Sequence, residues 1–165
     1  MIYRHIFIVQ SVLTMIRKEV RRARFTETGG PLAGYVSEDR DIVVTHAAGP
    51  GPRAKLSPFS VMIDGKHAQQ FCDKVNRRTE GRIDYVGDWH RHLGWSLKAS
   101  TDDLLAMREM AAFEYCPIVN PISLIYRKRP EEYVVYILNE ENLLEAYPST
   151  LLKAVPQIQD GPLVS

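Results

Sequence analysis

Cysteine is nearly missing from this chain. Cys72 and Cys116 are the two in 165 residues, too few and too far apart for a disulfide framework or a metal-ligand pair, so both read as reduced thiols filling core space. No apolar run approaches the roughly 18–20 residues needed to cross a bilayer. The opening stretch, residues 1–9, is short and carries Arg4 and His5, unlike a secretory leader. Charge of either sign is not in excess: 21 Lys and Arg oppose 20 Asp and Glu, for a net charge of +1. That balance argues against bulk nucleic-acid binding. Internal repeats and low-complexity tracts are also absent. What these absences leave is a cytoplasmic globular chain of ordinary make-up, 45% hydrophobic and 25% charged, long enough for one domain with a proper core.

Histidine is scarce as well, five in all, which makes its placement informative. His5, His46 and His67 are scattered and read as surface or core residues. His90 and His92 stand one residue apart. Residues 82–90 are rich in aromatic and β-branched types and follow the Glu80-Gly81 break, which predicts a strand. Alternation along a strand puts His90 and His92 on one face and turns Arg91 away. Residues 93–99 then read as a loop. Ser100 precedes an apolar helical opening, Leu104 to Met107, and fits an N-cap with Asp103 at the third helical position. Two imidazoles and a carboxylate supply three protein ligands and leave a fourth position open, the arrangement of catalytic rather than structural zinc. Taken singly, each part has a plainer reading: Ser100 and Asp103 as a common helix cap, His-x-His as chance. Cap and ligand are compatible roles for Asp103.

Upstream, Thr26-Glu27-Thr28-Gly29-Gly30-Pro31-Leu32-Ala33-Gly34-Tyr35 follows a basic amphipathic stretch. Its glycines allow close backbone approach, and residues 32–36 read as a short strand. By itself Glu27 also fits a helix end with Gly29 as C-cap.

Glu27 ahead of a glycine-containing strand, then His90-x-His92, seven residues, Ser100, two residues and Asp103, resembles the signature of the JAMM (MPN+) metalloproteases, in particular the stand-alone bacterial branch. Some of that branch accompany bacterial ubiquitin-like conjugation or antiviral signalling operons. The resemblance covers roughly residues 1–138. It implies zinc held by His90, His92 and Asp103, Glu27 as general base, and Ser100 as donor to the oxyanion. It further implies hydrolysis of an amide or isopeptide bond after the Gly-Gly-type tail of a ubiquitin-like protein, with that protein or its conjugate as substrate. Leu93 and Ala99 stand where many members carry proline, which predicts a less rigid 93–99 loop. Within that loop Trp95 is assigned to packing rather than to a groove. Two other readings stand beside this one: a catalytically silent scaffold, and a hydrolase of this type acting on a sulfur-carrier adduct or a peptide. A homodimer or an activating partner is left open.

The fold class is α/β: a single MPN/JAMM (cytidine-deaminase-like) domain over residues 1–147, with a curved, mostly antiparallel sheet flanked by helices, and a C-terminal tail over 148–165. Periodicity supplies the elements and the resemblance supplies their topology. Residues 3–9 read as a strand or helix start. Residues 12–24 read as a helix with Val12, Leu13, Ile16 and Val20 inward and a solvated basic face of Arg17, Lys18, Arg21, Arg22 and Arg24. Strands follow at 41–46 and 59–63, with a Pro/Gly loop at 50–58 between them. Helices are expected at 66–78 and 104–115, and a hairpin joins strands 118–126 and 133–138.

Overall fold

A computed structural model describes residues 3–155. β1 (Ile6–Val9) runs without a turn into α1 (Gln10–Arg22), whose Val12, Leu13, Ile16 and Val20 are all buried. The helix ends two residues before the sequence pattern does, at a run of exposed arginines with nothing apolar to carry it on. β2 (Gly29–Val36) and β3 (Ile42–Ala47) follow, then β4 (Lys55–Leu56) and β5 (Val61–Met62), α2 (Gly65–Arg78), β6 (Asp84–Arg91), α3 (Thr101–Ala111), β7 (Ile122–Lys128), β8 (Glu131–Leu138), β9 (Leu144–Tyr147) and β10 (Ser149–Leu152).

Eight strands form one sheet in the order β10-β1-β3-β2-β6-β7-β8-β9. Four of the seven pairings are antiparallel; β1 with β10, β1 with β3, and β6 with β7 are parallel. β9 and β10 lie at opposite ends of that order, yet only Pro148 separates them. Two Cα steps reach at most about 7.6 Å, so the sheet curls until its two edges meet there. The Tyr147 hydroxyl bridges the seam by donating to the Tyr3 carbonyl at 2.7 Å. The main core, with Trp89, Ile8, Ile16, Leu32, Ile42 and Leu124 fully buried, lies between the sheet and α1. Burying such side chains contributes about 1.5–3 kcal/mol each.

Several boundaries differ from the sequence pattern for physical reasons. The strand expected over 59–63 shrinks to Val61–Met62 and pairs with Lys55–Leu56, inside the segment read as a loop. The strand expected from residue 118 starts at Ile122, because Pro121 has no N–H and Asn120 is instead turned into the core, donating to the Leu138 carbonyl at 2.7 Å. The helix expected over 104–115 occupies 101–111, begun by its cap and followed by a turn in which Cys116 N–H donates to the Phe113 carbonyl. Neither β9 nor β10 is anticipated by periodicity. Residues 149–152, at the start of the segment set apart as a tail, pair with β1; residues 156–165 of that segment lie outside the described residues.

Candidate active site

The centre of the sheet delivers the histidines. β6 lies between β2 and β7, with His90 opposite Gly29 on one side and Ile125 on the other. His92 prolongs the ladder by donating its N–H to the Tyr126 carbonyl at 3.0 Å. Strand alternation then does what the sequence implies: His90 and His92 face a cleft, while Arg91 faces away and is buried. The approach of β2 requires glycine at position 29, because a Cβ there would stand 2.4 Å from the Trp89 carbonyl oxygen and 3.0 Å from the His90 Cβ.

α3 delivers the carboxylate. Ser100 caps it in a reciprocal capping box: the Asp103 N–H donates to Ser100 Oγ at 3.2 Å, and the Ser100 N–H donates to Asp103 Oδ2 at 2.6 Å. The Ser100 hydroxyl also donates to Oδ2, at 2.7 Å. Its proton is therefore committed to Asp103 in this structure and must rotate away to reach an oxyanion.

These two elements bring together three side-chain atoms able to ligate a metal ion. His90 Nε2 is 3.1 Å from His92 Nε2 and 3.1 Å from Asp103 Oδ1, and His92 Nε2 is 3.7 Å from Asp103 Oδ2. Zinc–ligand bonds of about 2.0–2.1 Å put tetrahedral ligands about 3.3 Å apart, so the spacing fits a metal ion. Among the described residues this is the group of His, Cys, Asp or Glu side chains suited to one. The His92 ring is oriented by Nδ1, 3.1 Å from the Ser96 carbonyl. With Nδ1–H donating there, Nε2 keeps its lone pair for the cleft.

Glu27 lines the same cleft, half-buried, and is fixed through its backbone by an N–H bond to the Ser57 carbonyl at 2.8 Å. It is neither a helix-end residue nor capped by Gly29; it sits in the irregular link between α1 and β2. Burial raises its pKa, against the pull of the nearby His92 and His90. Burial would also raise Asp103, but its hydrogen bonds with His90 and His92 prevail and hold it well below the usual carboxylate range. The Asp103 hydrogen bond in turn raises His92. The cleft has a volume of about 380 Å³ and extends from Phe59 on the β4–β5 hairpin, past Glu27 and His90, to Asp88, Met107 and Ser123.

Three features escape the sequence reading. Asp88 lines the floor, takes a hydrogen bond from the Tyr85 hydroxyl at 3.1 Å, and is pushed up to about 6 by burial. Its position two residues before His90 is the signal that could have found it. The 93–99 loop is held despite its lack of proline: Arg127 donates to the Trp95 carbonyl, Tyr136 donates to the Leu97 carbonyl at 2.9 Å, and Ser96 meets His92. The Arg127 and Tyr136 anchors come from β7 and β8, more than 30 residues away, and no local pattern announces them. Trp95, assigned to packing, is 81% exposed, because its carbonyl rather than its indole is the anchored group. Cys72 and Cys116 are free thiols.

No family model matches the chain. A Sinorhizobium fredii protein named "Probable metalloprotease y4qB" is 29% identical over 131 residues, 78% of this chain and 79% of that protein. A "CD-NTase/cGAS isopeptidase" of Enterobacter hormaechei subsp. hoffmannii is 29% identical over 120 residues, 73% of this chain and 66% of that protein. The solution structure of protein DSY2949 from Desulfitobacterium hafniense superposes with a TM-score of 0.69 at 17% identity, covering 91% of this chain and 94% of that one. At that identity it shows a shared fold.

Proposed function

We propose that this chain is a metalloprotease of the bacterial JAMM type, like the relatives named metalloprotease and isopeptidase that it resembles, and that it cleaves, with zinc, the amide or isopeptide bond after the Gly-Gly-type tail of a ubiquitin-like protein. The observation that carries this reading is the convergence of His90, His92, Asp103 and Glu27 on one open cleft. His90, His92 and Asp103 would hold the ion. When bound, zinc supplies Lewis acidity and lowers the pKa of a ligated water toward about 7. Glu27 accepts the proton of the attacking water and passes it to the leaving amine. A carboxylate with a raised pKa suits both halves of that shuttle. Ser100 turns its hydroxyl toward the developing oxyanion.

Substrate shape follows from the surroundings. The β4–β5 hairpin stands beside Glu27, with two-residue strands and an exposed edge. An extended Gly-Gly tail pairs with such an edge through its backbone, and its lack of side chains lets it lie close against the hairpin. The relatives named CD-NTase/cGAS isopeptidase make a conjugate of a CD-NTase-type protein the first amine side to try. A complete ligand set and base disfavour the scaffold reading.

Zinc content and cleavage of Gly-Gly-tailed fusions of the host's ubiquitin-like proteins test the proposal, with Glu27→Gln as control. About one zinc per chain is expected, with cleavage after Gly-Gly that falls by about 10²–10⁴ in Glu27→Gln while zinc is kept. Full activity in that variant refutes the base. Cleavage only of other peptide or adduct bonds refutes the substrate class.

A further inference from the structure

Arg91, between the two cleft histidines, points away from the cleft and is over nine-tenths buried. Its Nη1 donates to the Ala23 carbonyl at 2.6 Å and to the Val20 carbonyl at 3.2 Å, and Nη2 lies 3.5 Å from the Arg24 carbonyl. Val20 is in the last turn of α1, where carbonyls have no helical donors and a cation is favoured. The Arg91 backbone N–H donates to the Thr28 carbonyl at 2.8 Å. One residue thus grips both ends of the link 23–28, and Glu27 lies within it. That link has no helix or strand of its own, so its path is set by such ties. Arg91 Nε is, among the described residues, a buried side-chain nitrogen with no hydrogen-bond partner. An unpaired buried donor is unfavourable, and an aliphatic side chain would fill the space without it. What the guanidinium adds is reach to the carbonyls.

We infer that Arg91 is a positioning residue, whose guanidinium fixes the link 23–28 to the strand bearing His90 and His92 and so sets where the Glu27 carboxylate stands over the attacking water. The inference rests on the proposed role of Glu27. A general base must come within about 2.6–3.2 Å of the proton it takes, and a misplacement near 1 Å costs about a hundredfold in rate. The histidines, by contrast, are held by the β2 and β7 ladders and do not need the guanidinium.

The test uses zinc-loaded full-length protein and two variants, Arg91→Met and Arg91→Lys. In folded Arg91→Met, zinc content and KM for a Gly-Gly-tailed fusion are expected to stay within about twofold, and kcat to fall about a hundredfold. Arg91→Lys, which keeps a cation with a shorter reach, is expected to recover about tenfold of that loss. Added to Glu27→Gln, Arg91→Met is expected to change kcat by less than about twofold, because effects that pass through one group do not multiply. A readout without turnover is amide hydrogen exchange on metal-free protein, where residues 24–28 should exchange at least about tenfold faster in Arg91→Met and residues 84–90 should not change. Unchanged kcat and exchange in either folded variant overturn the inference, as does a loss that multiplies with that of Glu27→Gln or that follows zinc release. If Arg91→Met does not fold, Arg91→Lys decides on the same measures. Full activity of Glu27→Gln would sink the base reading alone, and exchange would still report whether Arg91 holds the link.

Discussion

Replacing Gly29 by alanine puts one methyl group between the two strands whose ladder carries His90 into the cleft. Its Cβ would meet the Trp89 carbonyl oxygen at 2.4 Å and the His90 Cβ and Cα at 3.0 and 3.1 Å. A relaxed carbon–oxygen contact is about 3.3 Å or longer, so β6 must retreat by about 1 Å at His90. The neighbour is backbone in the middle of a sheet and has no side-chain end to swing aside. Metal sites tolerate ligand displacements of about 0.2 Å, and the three atoms proposed to hold the ion lie only 3.1–3.7 Å apart. Most of the zinc affinity should therefore go, together with at least a hundredfold (~10²) in kcat/KM. The strain on the fold is that of overpacking, about 1–3 kcal/mol, or about 2–12 °C in Tm for a domain of this size. Alanine at Gly65, where an added Cβ has nothing within 4 Å, is the control and should leave both unchanged. Zinc measured after gel filtration, a melting curve and steady-state cleavage check the outcome. Wild-type zinc content and turnover in Gly29→Ala would refute the argument that this close approach aligns His90.

Other outcomes follow from the same geometry. His92→Ala should release most of the zinc and keep the fold, because the ladder bond at residue 92 is made by its backbone; unchanged zinc binding would remove His92 from the ligand set. The Arg53 guanidinium holds Asp64, the N-cap of α2, down to about 2. With the folded pKa below the unfolded value of about 3.9, this pair stabilises the protein above about pH 4 and that stability is lost as pH falls toward 2. Acid titrations followed by circular dichroism should show a shallower loss over that interval in Asp64→Asn, which keeps the cap; an identical acid transition would refute the assignment. Tyr136→Phe frees the Leu97 carbonyl, so it should raise KM several-fold with zinc content unchanged; an unaltered KM would show that the loop does not need this anchor.

Arrangements that depend on near neighbours in the chain are legible in the sequence. Alternation alone puts His90 and His92 together and Arg91 behind them, and Ser100 with Asp103 forms the cap its spacing implies. The inward face of α1 is legible for the same reason. Features that need a distant partner are not. β9 and β10 are half-exposed four-residue strands split by Pro148, and only pairing with β8 and β1 makes them strands. The Trp95 carbonyl finds Arg127, and Glu27 finds Ser57, across gaps that no local pattern spans. By local pattern Glu27 is a helix-end residue, and only the family resemblance singles it out.

The seam at Pro148 also bears on how the chain is made. β1 pairs with β10 across 143 positions of sequence, Ile6 opposite Ser149. During synthesis its Ile-Phe-Ile-Val edge has no partner on that side until residues 149–152 have left the ribosome. An apolar edge left open in this way is a template for pairing between chains, and contacts this long in sequence form slowly. The nascent protein thus passes through an interval in which the strands around His90 and His92 have met and β1 is still unprotected on one side. A chain cut off before Ser149 would stay in that state, and its characteristic failure would be aggregation.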